Sequence, residues 1–263
     1  RWRPPAGTRP RGLVIYLHGI QSHGGWYEGS ARHLADAGFT VYLPDRRGSG
    51  LNTADRGHAE SWEQLAADVV AVEDQALAES PGGAPLALVG VSWGGKLAAA
   101  LAAMHGGRYA ALALLCPGIC PQRDVSRWTK LRIALALTRG RRTARFPIPL
   151  GDPHLFTATP RWLDYLAGDE LSLREATAGF LFQSRRLDEA LAAMTPWIHV
   201  PTYLALAGRD RIIDNARSAA WLARLGASDC TIRRYAASHH TLEFEPEPQP
   251  IFADLVTWLT AHT

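Results

Sequence analysis

Leu86-Ala87-Leu88-Val89-Gly90-Val91-Ser92-Trp93-Gly94-Gly95-Lys96 decides the fold of this chain. Leu86–Val89 is a short apolar run with the character of a buried strand, and Lys96–Met104 has the character of a helix. The G-x-S-x-G pentapeptide Gly90–Gly94 therefore stands where a strand gives way to a helix. A junction of that kind can form a nucleophile elbow, a sharp turn whose glycines leave room for neighbouring backbone. Its serine projects at the strand's carboxyl end, and the next amide, that of Trp93, points at developing negative charge. An ordinary Gly/Ser turn would carry the same five letters, so the surrounding pattern has to separate the two.

Outward from the elbow, short β-rich runs alternate with helical ones. Leu13–Leu17 is continuously apolar, as a parallel strand covered on both faces requires. A Gly-rich loop and a helical stretch over about Tyr27–Ala37 follow, and Phe39–Leu43 is a second strand, ended by Pro44. Ser61-Trp62-Glu63-Gln64 is a capping box, and Trp62, Leu65, Val69, Val72 and Ala76 give the helix behind it one buried stripe. A Pro81-Gly82-Gly83 turn leads into the strand before Ser92. Further strands are expected at Ala110–Cys116, Tyr203–Ala207 and Thr231–Tyr235. A helix over about Asn215–Leu225 separates the last two, and another, through Ile251, Leu255 and Trp258, closes the chain. Repeated β-α units imply a mostly parallel central sheet with helices on both faces.

That rhythm breaks between Pro117 and Pro201. Helical stretches around Val125–Leu137 and Leu171–Met194, Pro-rich turns at Pro147–Pro153 and no convincing strand predict an α-helical cap inserted over the strands' carboxyl ends. The expected organisation is core 1–116, cap 117–200 and core 201–263.

With 263 residues, 47% hydrophobic and 20% charged, the chain has the bulk of one large α/β domain. A net charge of +3 without a zinc-finger or RNA-binding signature gives no reason to expect nucleic acid. No apolar stretch approaches the roughly 20 residues that span a bilayer. Cys116, Cys120 and Cys230 make no metal spacing and are expected as small buried apolar residues or one optional bridge. The chain begins at Arg1 without Met, which leaves room for a removed initiator, leader or tag; cytoplasm is the default expectation.

A serine hydroxyl needs a base beside it and an acid to orient that base. The chain offers both, in the order Ser, Asp, His, after successive strands: Asp210 in Ala207-Gly208-Arg209-Asp210, and His240 in Ser238-His239-His240-Thr241-Leu242. Ser92 is the candidate nucleophile, His240 the base and then acid, and Asp210 the group that holds the imidazole. His239 competes with His240, because side chains of adjacent residues diverge and only one can face Ser92. Asp214 competes with Asp210, although its place before a helical run suits an N-cap better. The second oxyanion donor is expected after the first strand, in His18-Gly19-Ile20-Gln21, where Gly19 permits the turn and Ile20 supplies its N–H beside that of Trp93. Gly19, Gln21 and Trp93 are the candidate substrate contacts. His18 and His23 lack a convergent carboxylate, so no metal is expected and His18 braces the loop.

These pieces carry a family resemblance. His18-Gly19, Asp45-Arg46-Arg47-Gly48-Ser49-Gly50, Gly90–Gly94, Asp210-Arg211 and His240-Thr241-Leu242 resemble the α/β-hydrolase branch of monoacylglycerol lipases, lysophospholipases and serine aminopeptidase-like hydrolases. The resemblance spans nearly all of the core and is loose in 117–200, which that branch uses as a variable lid. It implies an α/β-hydrolase fold and a carboxylic-ester hydrolase working through an acyl-enzyme, without cofactor, on a small acyl ester. Arg1-Trp2-Arg3-Pro4 resembles the end of an early family strand, so one or two preceding strands are expected to be missing. Asn52 departs from a serine common after the glycine loop, which keeps substrate preference from being carried over.

Trp128, Leu131, Ile133, Leu135, Phe146, Leu150, Leu155, Phe156, Trp162 and Phe180 can line an acyl channel or pack the cap's own core, the second being expected for most. The run Arg139–Arg145 is either a solvated turn or a contact with anionic lipid headgroups at a membrane surface. Amidase, peptidase or acyltransferase chemistry would use the same triad, and a non-catalytic ligand-binding relative would keep the fold alone.

Overall fold

Six β-rich runs, all but the last predominantly apolar, become six parallel strands. A computed structural model describes residues 1–8, 10–80 and 82–263, so Pro81 of the expected turn lies outside the described residues. The strands are β1 (Gly12–Leu17), β2 (Phe39–Tyr42), β3 (Leu86–Val91), β4 (Ala111–Leu115), β7 (Thr202–Ala207) and β8 (Cys230–Tyr235). Two short ones, β5 (Arg145–Pro147) and β6 (Glu175–Thr177), stand apart. The main sheet runs β2-β1-β3-β4-β7-β8 with every neighbouring pair parallel. Every residue of β1, β3, β4 and β7 is buried, the reason these strands are apolar without alternation. β8, at the edge, is largely exposed and carries Arg233 and Arg234, charges that discourage pairing with another chain.

Adjacent strand residues face opposite sides of a sheet. Tyr16 accepts a hydrogen bond from Ser30 of α1 (Glu28–Asp36), while Leu17 borders Leu65 and Val69 of α2 (Trp62–Ala78) and Leu97 of α3 (Trp93–His105). One face thus carries α1, with α8 (Gln249–His262) against it, and the other α2 and α3. The capping box is in place, Ser61 Oγ accepting the Gln64 amide at 3.0 Å. Trp62, Leu65, Val69 and Ala76 are buried as the stripe requires. Val72 is only half-buried; the next position, Glu73, goes fully under instead, bound to Tyr109 and paired with Arg108.

Between 117 and 200 the structure departs from expectation. Phe146 and Ala176 pair at the centre of an antiparallel β5–β6 ribbon in a stretch expected to hold no strand. Three residues each, one of them Pro147, are too few to show an alternating pattern. Nor is Leu171–Met194 one helix: α6 (Ala178–Met194) starts only where Thr177 Oγ1 caps the Phe180 amide at 3.1 Å. α5 (Pro160–Gly168), opened by a proline in its first turn, was not expected at all. α4 (Arg127–Thr138) lies on α6, and α6 lies across α3. Phe156, Leu166, Phe180, Leu187 and Leu191 join the same apolar cluster as the sheet, whereas Ile133, Ala136, Phe146 and Ala178 form a small cluster under α4. Trp128, Leu131 and Leu135 belong to neither and are exposed. All three cysteines are free; Cys116 and Cys120 are buried as expected, but Cys230 is exposed on the edge strand.

Candidate active site

Ser92 leaves β3 with φ +50° and ψ −121°, a backbone conformation that costs a non-glycine residue about 1–3 kcal/mol. Its carbonyl takes the Gly118 amide at 2.6 Å and the Gly95 amide at 2.9 Å, which fixes the turn. The flanking glycines are needed for close approach. A Cβ on Gly90 would come within 2.6 Å of Gly95 Cα, and one on Gly94 would strike the Leu17 carbonyl oxygen. Trp93 is the first residue of α3, so its N–H is among the amides a helix leaves unpaired.

β7 and β8 bring Asp210 and His240 together. His240 Nδ1 donates to Asp210 Oδ2 at 2.8 Å, with both side chains buried. Asp210 Oδ1 accepts the Ile212 and Ile213 amides at 2.8 and 2.9 Å. Burial alone would raise this carboxyl; the charge and hydrogen bond of His240, with the two amides, outweigh it and hold it below the usual carboxylate range. Nε2, the other imidazole nitrogen, is buried and meets no hydrogen-bond partner among the described residues, which leaves its lone pair free. His239 turns away, its amide and Nδ1 both directed at Glu245. Asp214 caps α7 (Asn215–Leu222) through the Arg217 amide at 2.9 Å. Both competitors are thus occupied elsewhere.

Cys116, at the end of β4, brings its sulfur within 4.8 Å of ligand atoms of Asp210 and His240. Burial and the nearby carboxylate push its thiol well up, so it stays protonated at neutral pH.

The loop after β1 borders the serine: a Cβ on Gly19 would stand 3.4 Å from Ser92 Cβ. His18 braces this loop as expected, Nδ1 on the Gly19 carbonyl at 2.8 Å and Nε2 under the Arg46 amide at 2.9 Å. Gln21 is buried and its carbonyl accepts the Leu173 amide at 2.8 Å, which joins the loop to 117–200. The Trp93 indole points to α6, donating to Ser184 Oγ at 2.9 Å and packing on Phe180.

Two residues that pattern alone did not disclose hold this loop. Asp169 is buried and accepts from His23 Nε2, the Trp26 indole, Ser172 Oγ and the Leu171 amide. Arg46 reaches the carbonyls of Gly19 and Ile20. Arg46 stands inside a motif quoted above, a signal for its neighbourhood but not its direction. Asp169 carries no local signal, since its partners lie 146 and 143 residues earlier. Ser92 and His240 are 8% and 2% exposed, and the Phe156 ring lies edge-on to the imidazole at 6.0 Å.

A parallel sheet crossed on both faces, a strained serine on the β3–α3 turn and a His–Asp pair at the ends of β7 and β8 define an α/β-hydrolase. Residues 8–247 match the model of the family described as serine aminopeptidase, S33, and the chain belongs to that family. It is 26% identical over 262 residues to a monoacylglycerol lipase of Mycolicibacterium smegmatis, covering 99% of this chain and 91% of that protein. A monoglyceride lipase of Homo sapiens is also 26% identical, over 100% of this chain and 86% of its own length. The crystal structure of Paleococcus ferrophilus monoacylglycerol lipase shares the fold with a TM-score of 0.86 at 24% identity, covering 98% of this chain and 97% of that one.

Proposed function

We propose that this carboxylic-ester hydrolase cleaves single-chain acyl esters, of the monoacylglycerol or lysophospholipid kind, through an acyl-enzyme on Ser92. Ser92 Oγ attacks the ester carbonyl and passes its proton to His240 Nε2, while Asp210 stabilises the imidazolium. The oxyanion is received by the N–H groups of Ile20 and Trp93, each worth roughly 3 kcal/mol. Collapse expels the alcohol, protonated by His240, and water then repeats the sequence on the acyl-enzyme. Residues 117–200 act as the lid, whose Phe156 must leave His240 before an ester can enter.

The buried His240–Asp210 pair with its free Nε2 carries this proposal. The two lipase relatives and the aromatic surroundings of His240, with Phe156 at 6.0 Å, support the acyl-ester class. A fluorophosphonate probe labels the wild type, fails on Ser92→Ala and labels His240→Ala far more slowly. Labelling of Ser92→Ala at the wild-type rate overturns the nucleophile, and faster turnover of amides than of matched esters overturns the ester class.

Exposed Trp128, Leu131 and Leu135 recur along one face of α4, opposite buried Ile133 and Ala136, and favour peripheral contact with a lipid surface. Arg142 of the basic run is tied to the Glu60 carbonyl, which leaves Arg139, Arg141 and Arg145 exposed beside that face. Trp128→Ser with Leu131→Ser should weaken binding to anionic vesicles about tenfold, while turnover of a soluble short-chain ester is kept. Unchanged vesicle affinity retires the contact.

A further inference from the structure

Arg46 lies across the back of the loop after β1. Its Nη1 donates to the Gly19 carbonyl at 3.1 Å and its Nη2 to the Ile20 carbonyl at 3.0 Å. The Gly19 oxygen has a second donor, His18 Nδ1 at 2.8 Å. That imidazole must be neutral and protonated on Nδ1, because its Nε2 accepts the Arg46 amide at 2.9 Å. Burial, aided by the Arg46 charge, lowers His18 to about 3 and keeps it so. In a trans peptide the C=O of one residue and the N–H of the next point opposite ways. Two donors on the Gly19 oxygen therefore direct the Ile20 N–H toward the opposite edge of the same planar peptide. Among the described residues that N–H meets no acceptor, and the peptide borders Ser92.

We propose that Arg46 is a positioning residue for the oxyanion hole, holding and polarising the Gly19–Ile20 peptide so that the Ile20 N–H is preset before substrate arrives. A cation on a carbonyl oxygen draws density from the amide and strengthens its N–H as a donor. A donor fixed in advance also costs no reorganisation when the oxyanion forms. The placement is expensive for any lesser role. Burial lowers Arg46 to about 10, still a cation at neutral pH, and its Nε meets no acceptor among the described residues. Besides the two carbonyls, the neighbouring Asp45 charge and the faces of Trp93 and Phe180, 4.7 and 5.3 Å from the guanidinium carbon, compensate it in part. One side chain thus supports both residues expected to donate to the oxyanion.

This inference rests on the Ser92 and Ile20 roles proposed above, and the test separates the two. Arg46→Met and Arg46→Lys are compared with the wild type on a short-chain aryl ester and on an alkyl boronic acid, which forms a tetrahedral adduct on serine. Arg46→Met should lower kcat about 10- to 100-fold, less than outright loss of a donor, with KM within about twofold. The boronate inhibition constant should rise by the same factor. Arg46→Lys, charged but without the fork, should fall between. A merely structural role would lower the fraction of sites titrated by fluorophosphonate and leave turnover per titrated site unchanged, and that result overturns the proposal. So does a fall in kcat without loss of boronate affinity. Should Arg46→Met not fold, Arg46→Lys is read alongside the Ile20 amide proton, which boronate should move downfield less in the variant than in the wild type. Equal movement overturns the proposal. Failure of the underlying site is recognised separately, by Ser92→Ala retaining activity.

Discussion

The loops after β1 and after β8 are each fastened by one buried carboxylate, but the two fastenings are built in different ways. Asp169, reaching out of 117–200, seizes the loop after β1 with four donors: two rings, a hydroxyl and an amide. Glu243, three residues past His240, fastens the loop after β8 to the start of α1 through the Ser30 amide at 2.9 Å. Both are nearly solvent-free, at 9% and 7% exposed. Burial pushes each carboxyl up. In Asp169 the hydrogen bonds from His23, Trp26 and Ser172 outweigh that push and hold it well below the usual range. In Glu243 the bonds at Ser30 and Gly29 do not, and it is raised to about 7. Glu243 lies deeper and lacks a partner that can carry charge, as His23 can for Asp169, and these two differences decide which carboxylate stays charged.

The larger effect is expected at Asp169. In Asp169→Asn the amide NH₂ must face a donor, either the Leu171 amide at the Oδ1 position or the Trp26 indole and Ser172 hydroxyl at the Oδ2 position, and the charge that strengthened all four bonds is gone. A loss on the order of 4 kcal/mol at pH 7 follows from the usual cost of leaving charge-assisted donors unpaired. The sign with pH follows from the depressed carboxyl. Its contribution is fully present above the unfolded value near pH 4 and drains away as pH falls below it. Thermal melts between pH 2 and 8 should therefore show the wild type falling steeply on the acid side, with Asp169→Asn lower throughout but flatter there. Equal acid slopes for the two proteins would break the contrast drawn between the carboxylates.

Neither fastening could be read from the chain, and the reason separates the legible from the hidden. Ser92, Asp210 and His240 each follow a strand, and strands announce themselves as short apolar runs. β3, β7 and β8 were expected within a residue or so, and with them the strand ends that bring His240 onto Asp210. The His18 brace and the Asp214 cap were legible for the same reason, being local to a strand end or a helix start. Asp169 has no such anchor. It sits in extended backbone between α5 and β6, and what makes it matter is a histidine and a tryptophan from another part of the chain. Arg46 shows the intermediate case, placed by a motif but aimed by the tertiary fold at two carbonyls 27 and 26 residues earlier. Periodicity reports which face a residue takes, and it is silent on which distant side chain will meet it there.

The smaller effect, at Glu243, sharpens the comparison because its sign is reversed. From its ordinary value of 4.5 to about 7 the folded protein keeps a proton that the unfolded chain has released. Stability must then fall as pH rises through that window and level off above it, the opposite of the Asp169 limb. A rise from 4.5 to about 7 corresponds to about 3 kcal/mol at most. Glu243→Gln keeps an oxygen for the Ser30 amide and removes the titration, so the variant should gain on the wild type steadily between pH 5 and 7 and hold that gain at pH 8. The difference of the two melting curves isolates this one group, since every other titrating side chain is common to both. Should the two curves run parallel from pH 5 to 8, the bonds at Ser30 and Gly29 hold Glu243 charged after all, and the contrast drawn between the two carboxylates fails.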